Sequence, residues 1–228
     1  EDISATAITI GTLSYPNTTD EGLIVKNIEI ANNFIKNIST EYKSPVAIFV
    51  TFTQNVHIHN NEIDDVPYGG ISIGWGWGGW MPKVVKDNLI EKNLISNYLT
   101  TLTDSGAIYT LDEQPGLIIR ENVIRNYAKR LDDPYNGSII FDDGTRFVRA
   151  ERNVIFAPRN QIGYKGGDNV IVNNWWMNQE WQYPNGFNLI QGCPYLKQRF
   201  GYDCGPNIVK DNYVIKSESE APASILNS

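Results

Sequence analysis

The acidic residues best placed to do chemistry fall in two short stretches. Asp104-Ser-Gly-Ala-Ile-Tyr-Thr-Leu-Asp112 carries one pair of aspartates, and Ser138-Ile-Ile-Phe-Asp-Asp-Gly144 carries Asp142 and Asp143. Two carboxyl groups held about 5–9.5 Å apart can cleave a glycosidic bond, one protonating the leaving oxygen while the other acts as nucleophile or as base toward water. Asp104, Asp112, Asp142 and Asp143 are therefore candidate catalytic residues. The competing reading is plainer: Asp-Asp-Gly is a turn signature, and Asp104 caps a strand as surface aspartates commonly do.

The six tryptophans form two clusters, Trp75, Trp77 and Trp80 between glycines, and Trp175, Trp176 and Trp181. A glycine-rich tryptophan loop is poorly suited to a strand core, but indoles there offer flat apolar faces to a sugar ring and an N–H to its hydroxyls. Trp75 and Trp77 are candidates for substrate binding, together with Tyr109 in the aspartate stretch. His57 and His59 stand two apart and point the same way from a strand, yet the His59 column continues as Glu91, Arg120 and Glu151. An alternating-charge ladder accounts for that histidine, so no metal site is expected. Asp64-Asp65 and Asp132-Asp133 could bind calcium, but solvated turns explain both pairs better, and no cofactor is expected.

The elements that must position these residues come from a repeat. Ile28-Glu-Ile-Ala-Asn-Asn-Phe-Ile35 is echoed by Val56 to Ile63, Asn88 to Ile95 and Leu117 to Ile124, and more loosely by Val148 to Ile155, Asn169 to Trp176 and Asn207 to Val214. One column reads Asn33, Asn61, Asn93, Asn122, Asn153, Asn174 and Asn212, among the 25 asparagines of the chain. Three positions before it stand Ile30, Ile58, Ile90, Ile119, Ala150, Ile171 and Val209; two after it stand Ile35, Ile63, Ile95, Ile124, Ile155, Trp176 and Val214. Copies separated by 28, 32, 29, 31, 21 and 38 residues are too uneven for a helical array, and the period of two is that of strands.

These columns predict an all-β fold, a right-handed parallel β-helix of about seven coils and roughly 34 Å, with asparagines stacked at a bend. A further strand per coil is expected at 46–50, 70–74, 106–111, 138–142, 161–165 and 187–191. There Ile71, Ala107, Ile139 and Ile162 make one column, and Ile73, Tyr109, Phe141 and Tyr164 another. Aligning Asp104 with Asn136 puts Asp142 in the column of Thr110, facing solvent, and about 8 Å from Asp112. The whole of 1–228 reads as one domain with a long loop insertion at 177–206, and as a fragment or one chain of a larger β-helix. Residues 1–10 already read as strand, so a precursor segment or second polypeptide is expected to cap the N-terminal coil.

Composition bounds the partners. A net charge of −7 argues against nucleic acid, and no run approaches a membrane span. Cys193 and Cys204 are spaced to close one loop, and Asn17, Asn37 and Asn136 begin N-glycosylation acceptor triplets; together they favour secretion.

The phrases Val66-Pro-Tyr-Gly-Gly-Ile-Ser-Ile-Gly-Trp-Gly-Trp-Gly78, Asp104 to Gly116 and Ser138 to Gly144 resemble the bacterial right-handed parallel β-helix proteins related to carbohydrate-active enzymes. That superfamily includes glycoside hydrolases, among them the lacto-N-biosidase type, and shares its fold with pectate-lyase-like polysaccharide lyases. The resemblance implies an extracellular oligo- or polysaccharide partner. It also implies that Asp104 matches the second of two catalytic aspartates, while Asn97 stands where the first would fall, which leaves Asn97 a substrate-binding role at most. The resulting expectation is a glycoside hydrolase with Asp104 as general acid and Asp142 or Asp143 as its partner. A noncatalytic carbohydrate-binding or structural matrix protein is the alternative. A polysaccharide lyase drawing on Arg146, Arg149 or Arg152 comes third, since an acidic chain suits neutral sugars better than uronates.

Overall fold

In a computed structural model of the protein, the structure describes residues 3–12, 20–76, 84–125, 136–157, 162–177, 187–189, 197–198, 201 and 203–228. They form a right-handed parallel β-helix with three seven-stranded sheets, each coil giving one strand to each. The first sheet contains β1 (Ile8–Ile10), β4 (Ile48–Val50), β7 (Ile71–Ile73), β10 (Gly106–Thr110), β13 (Gly137–Phe141), β16 (Ile162–Tyr164) and β19 (Phe187–Leu189). The second contains β2 (Val25–Ala31), β5 (Thr53–His59), β8 (Leu89–Glu91), β11 (Ile118–Arg120), β14 (Arg149–Glu151), β17 (Val170–Val172) and β20 (Ile208–Lys210). The third contains β3 (Phe34–Lys36), β6 (Glu62–Asp64), β9 (Leu94–Ser96), β12 (Val123–Arg125), β15 (Val154–Phe156), β18 (Trp175–Met177) and β21 (Tyr213–Ile215). The repeated phrase thus holds two strands, not one, bent at the asparagine. Of the described residues 3–10, Ile8–Ile10 make the strand, with Ile3 bridging to Ile38.

Both isoleucine columns pair in the expected register, from Ile30↔Ile58 through Ile171↔Val209 and from Ile35↔Ile63 through Trp176↔Val214. As far as Ile171 and Trp176 they fill a continuous core in which Ile58, Ile63, Ile90, Ile95, Ile119, Ile124 and Ile155 are wholly buried, while in the last coil Val209 is half-buried and Val214 exposed. Each such side chain contributes about 1.5–3 kcal/mol relative to exposure. Trp176 takes the isoleucine position in the sixth coil and is buried with them.

The corner between the second and third sheets explains the asparagines. The residue before each one, Asn32, Asn60, Lys92, Glu121, Arg152, Asn173 and Asp211, has a left-handed φ between 53 and 58°. That conformation costs a residue with a side chain roughly 1–2 kcal/mol and turns the chain sharply. The ladder offsets the cost. Asn93 Nδ2 donates to Ile58 O of the coil before, to Glu91 O of its own coil and to Asn122 Oδ1 of the coil after, at 2.9–3.0 Å. Asn122 Oδ1 also accepts the Asn93 backbone N–H at 3.0 Å. The same contacts recur through Asn153, Asn174 and Asn212. A second, interrupted ladder stands where the second sheet begins: Asn88 accepts from Val56 N–H, Asn169 from Val148 N–H, and Asn207 from Asn169 N–H.

The first sheet departs from the expected register by one residue. Ile108, not Ala107, pairs with Ile71 and Ile139, and Thr110, not Tyr109, pairs with Ile73 and Phe141. Ile108 removes more apolar area from water than Ala107, and a slip of one residue sends every neighbouring side chain to the opposite face. Tyr109 consequently faces outward, while Thr110 is buried and bonds Thr145 Oγ1.

At the C-terminal end, Ala221 and Ile225 of the segment after β21 pack on the outward side chains Val123, Val154 and Phe156 of the third sheet. Much of the 177–206 insertion, including Cys193, lies outside the described residues. Cys204 is disulfide-bonded.

Candidate active site

Along the first sheet the outward positions read Thr9, Phe49, Ser72, Tyr109 and Ile140, paired coil to coil. Small Ser72 between two aromatic neighbours leaves a depression, and the chain segments beside the sheet raise its walls. The result is a cleft of about 790 Å³ lined by Phe49, Tyr68, Trp75 and Tyr109, by Asp104, Asp142 and Asp143, by Lys165, and by a set of threonine and serine hydroxyls.

Asp104 stands two residues before β10 with a left-handed φ of 66°. Its N–H donates to Asn136 Oδ1 at 2.7 Å and its carbonyl accepts the Tyr68 hydroxyl at 2.8 Å, so its backbone is pinned from both flanks while its side chain is exposed at the cleft. Asp142 leaves β13 directly. Its N–H donates to Thr110 O at 3.0 Å, and its carboxylate accepts the Tyr109 hydroxyl and lies 2.5 Å from Lys165 Nζ. Lys165 leaves β16 one coil later, its own N–H donating to Phe141 O at 2.7 Å. Asp143 lies in the turn that closes with Thr145 N–H donating to Asp142 O, 3.8 Å from the same ammonium. Asp142 and Asp143 are 6% and 5% exposed, deep enough for their charges to act strongly on neighbours.

The electrostatics bind the group together. Burial pushes the Tyr109 hydroxyl far above the ordinary phenol range, reinforced by the charge of Asp142, its hydrogen bond, and the charge of Asp104. Burial likewise raises Tyr68, with Asp104 and Asp142 adding to it. For Lys165 burial works downward, but Asp142, then Asp143 and Asp104, more than offset it and keep the ammonium protonated above its usual range. Asp104 and Asp142 thus act on the same three side chains.

Trp75 is carried by Gly74 and Gly76, whose φ values of 86 and 129° favour glycine. A Cβ on Gly74 would sit 1.7 Å from Gln114 Nε2. The indole meets Phe49 edge to face, centroids 5.6 Å apart at 89°, and lies half-buried at the cleft wall.

Of the other candidates, Asp112 does not line the cleft: it is buried, its φ is 58°, and its N–H donates to Asp143 O. Asn97 lies beyond the end of β9 on the third sheet, where its Nδ2 donates to Asp64 Oδ1 at 2.7 Å, and it does not line the cleft either. Asp142 belongs beside Leu111, not in the buried Thr110 column, because β10 and β13 pair one residue out of the expected alignment. Trp77 and Asn17 lie outside the described residues, as do Asp132 and Asp133. Asn37 is exposed, whereas Asn136 is 1% exposed with its Oδ1 holding Asp104, so its amide is not open to glycosylation in the folded chain. Asp64 serves as an ion-pair and hydrogen-bond acceptor to Lys36, Ser96 and Asn97.

Lys165, Tyr68 and Phe49 are the cleft residues that sequence reasoning missed. For Lys165 a signal existed: once Phe141 and Tyr164 share a column, the next positions are Asp142 and Lys165.

No family model and no curated protein matches the sequence. Among solved structures, one named "Glycoside hydrolase" is similar, with a TM-score of 0.67 and 20% identity, covering 100% of this chain and 34% of that one. The likeness concerns the fold, and the chain spans about a third of that protein's length.

Proposed function

We propose that this β-helix acts on a glycan as a glycoside hydrolase, with Asp104 as general acid and Asp142 as the partner carboxylate. The observation that carries this reading is the meeting of Asp104 and Asp142 in one aromatic-walled cleft, coupled through Tyr109 and Lys165. Asp104, at the solvent side, gives its proton to the glycosidic oxygen as that bond breaks. Asp142, fixed by Tyr109 and Lys165, either attacks the anomeric carbon or takes a proton from the water that does. Trp75 and Phe49 offer apolar faces to the sugar ring. The named neighbour supports a carbohydrate as the partner.

Among the lining residues three aspartates face one lysine, itself paired, so a neutral glycan suits the cleft better than a uronate. Arg146, Arg149 and Arg152 pair with Glu113 and Asp168, with Glu151 and with Glu121, and none lines the cleft, so the arginines on which the lyase reading drew are not at the site. A bonded Cys204 favours an oxidising, extracellular setting. Among the described residues no helix is long and apolar enough to cross a membrane.

A hydrolysis screen over neutral oligosaccharides, with product anomers read by NMR, tests the proposal. Asp104→Asn and Asp142→Asn should each lower turnover by about 10²–10⁴-fold; exposed Asp104→Asn should leave the melting temperature nearly unchanged, whereas Asp142→Asn, which breaks the buried pair with Lys165, should lower it. Full activity in Asp104→Asn overturns the assignment. Glycan-array binding without any product would favour the noncatalytic alternative; Asn97→Asp should not restore turnover, since position 97 lies away from the cleft.

A further inference from the structure

Outside the cleft, one cluster among the described residues combines side chains of metal-ligand type. The chain has two histidines, and both lie on β5, two residues apart and therefore on one face of the second sheet. Their rings stack with centroids 4.0 Å apart at 30°. Glu29 of β2 is in register with His57 one coil earlier, and one ligand atom from each of Glu29, His57 and His59 lies within 4.8 Å of the other two.

We propose that Glu29, His57 and His59 form a binding site for a divalent transition-metal ion of the zinc type, bridging the first two coils. Two imidazoles and a carboxylate are a ligand set that suits zinc, copper or nickel better than calcium or magnesium. The surroundings orient it. Asn60 Oδ1 contacts His59 Nδ1 at 2.7 Å, which aims the opposite nitrogen, Nε2, at Glu29 Oε1, 2.8 Å away. Glu91 holds His57 Nε2 at 2.9 Å and is itself held by Arg120 Nε at 2.6 Å. Polar partners behind metal-binding imidazoles fix their rings in this way. A charge ladder alone explains the pair less well, because two stacked imidazoles both charged would repel, whereas two neutral ones can share a cation. Zinc–nitrogen bonds of about 2.0–2.1 Å require the ligand atoms to draw together, and Glu29, with 70% of its side chain exposed, is free to swing inward. None of the three residues lines the cleft, so the ion would act on the coils and not on the reacting bond.

Isothermal titration of the untagged full chain with zinc chloride tests the site, alongside melting curves with and without EDTA. One ion per chain is expected, with a higher melting temperature that EDTA reverses. His57→Asn/His59→Asn, which leaves the chain without histidine, should abolish saturable binding, and Glu29→Gln should weaken it by about tenfold or more. Absence of saturable binding up to about 100 µM zinc, or affinity within about threefold of the parent in Glu29→Gln, overturns the proposal. If the double variant does not fold, Glu29→Gln at its exposed position decides the matter alone.

Discussion

At the scale of single residues, Lys165 is the side chain on which the cleft depends most. Among the described residues it is the ammonium paired with buried Asp142, 3.8 Å from Asp143, and removing it takes away the charge that balances Asp142. Lys165→Met should therefore cost about 3–5 kcal/mol, read from urea midpoints, whereas Lys165→Arg should recover much of it. Parent-like stability in Lys165→Met would mean that the carboxylates tolerate burial without it. Tyr109→Phe removes only the hydroxyl that donates to Asp142; turnover should fall by about tenfold or more, with stability reduced by about 1–2 kcal/mol. On the opposite flank, Asp64 reports on pH. Burial works to raise it, but Lys36, Asn97 and Ser96 together hold it below the usual carboxylate range near 3.8. With its folded value below its unfolded one, its contribution is complete above about pH 4–5 and disappears as pH falls through the folded value. Urea midpoints measured between about pH 2 and 6 should drop on the acid side, and Asp64→Asn should flatten part of that drop.

At the scale of elements, the asparagine ladder sets the energetics of the corner. Asn122 is wholly buried and serves both neighbours, so Asn122→Ala should strand several buried polar groups and cost about 3 kcal/mol or more. Asn33, part-buried in the first coil, should cost about 1 kcal/mol when changed to alanine. Equal losses at the two sites, by chemical denaturation, would show that the ladder is not cooperative. This ladder and the two isoleucine columns were legible in the sequence because one residue type recurs at one position and burial is demanded on one face only. The first sheet was less legible. In Gly-Ala-Ile-Tyr-Thr either Ala107 and Tyr109 or Ile108 and Thr110 can face inward by polarity, and only the neighbouring coils decide. That ambiguity hid the outward role of Tyr109 and its contact with Asp142. The interrupted ladder of Asn88, Asn169 and Asn207 escaped because leucine and valine occupy its intervening positions at 117 and 148.

At the scale of the whole molecule, the first and last coils differ from those between them. Leu23, Val25 and Phe34 near one end and Ile208, Tyr213 and Val214 near the other are exposed apolar side chains. Among the described residues, β1, β2 and β3 each pair on one side only. Unpaired strand edges bordered by apolar surface favour stacking of further chain. Static light scattering on the purified chain should show mass rising with concentration; a constant monomer mass up to about 100 µM would exclude stacking as a favourable process. The ladder also dictates what form such stacking can take. In every rung the bond between asparagines runs one way: Nδ2 of one donates to Oδ1 of the asparagine in the coil after it. The seven amides therefore form a directional chain of dipoles, and two copies meeting end to same end would set carbonyl against carbonyl or amine against amine. Copies that continue the ladder must join head to tail, a heterologous contact without a two-fold axis, so self-association through these ends would give open filaments instead of closed dimers.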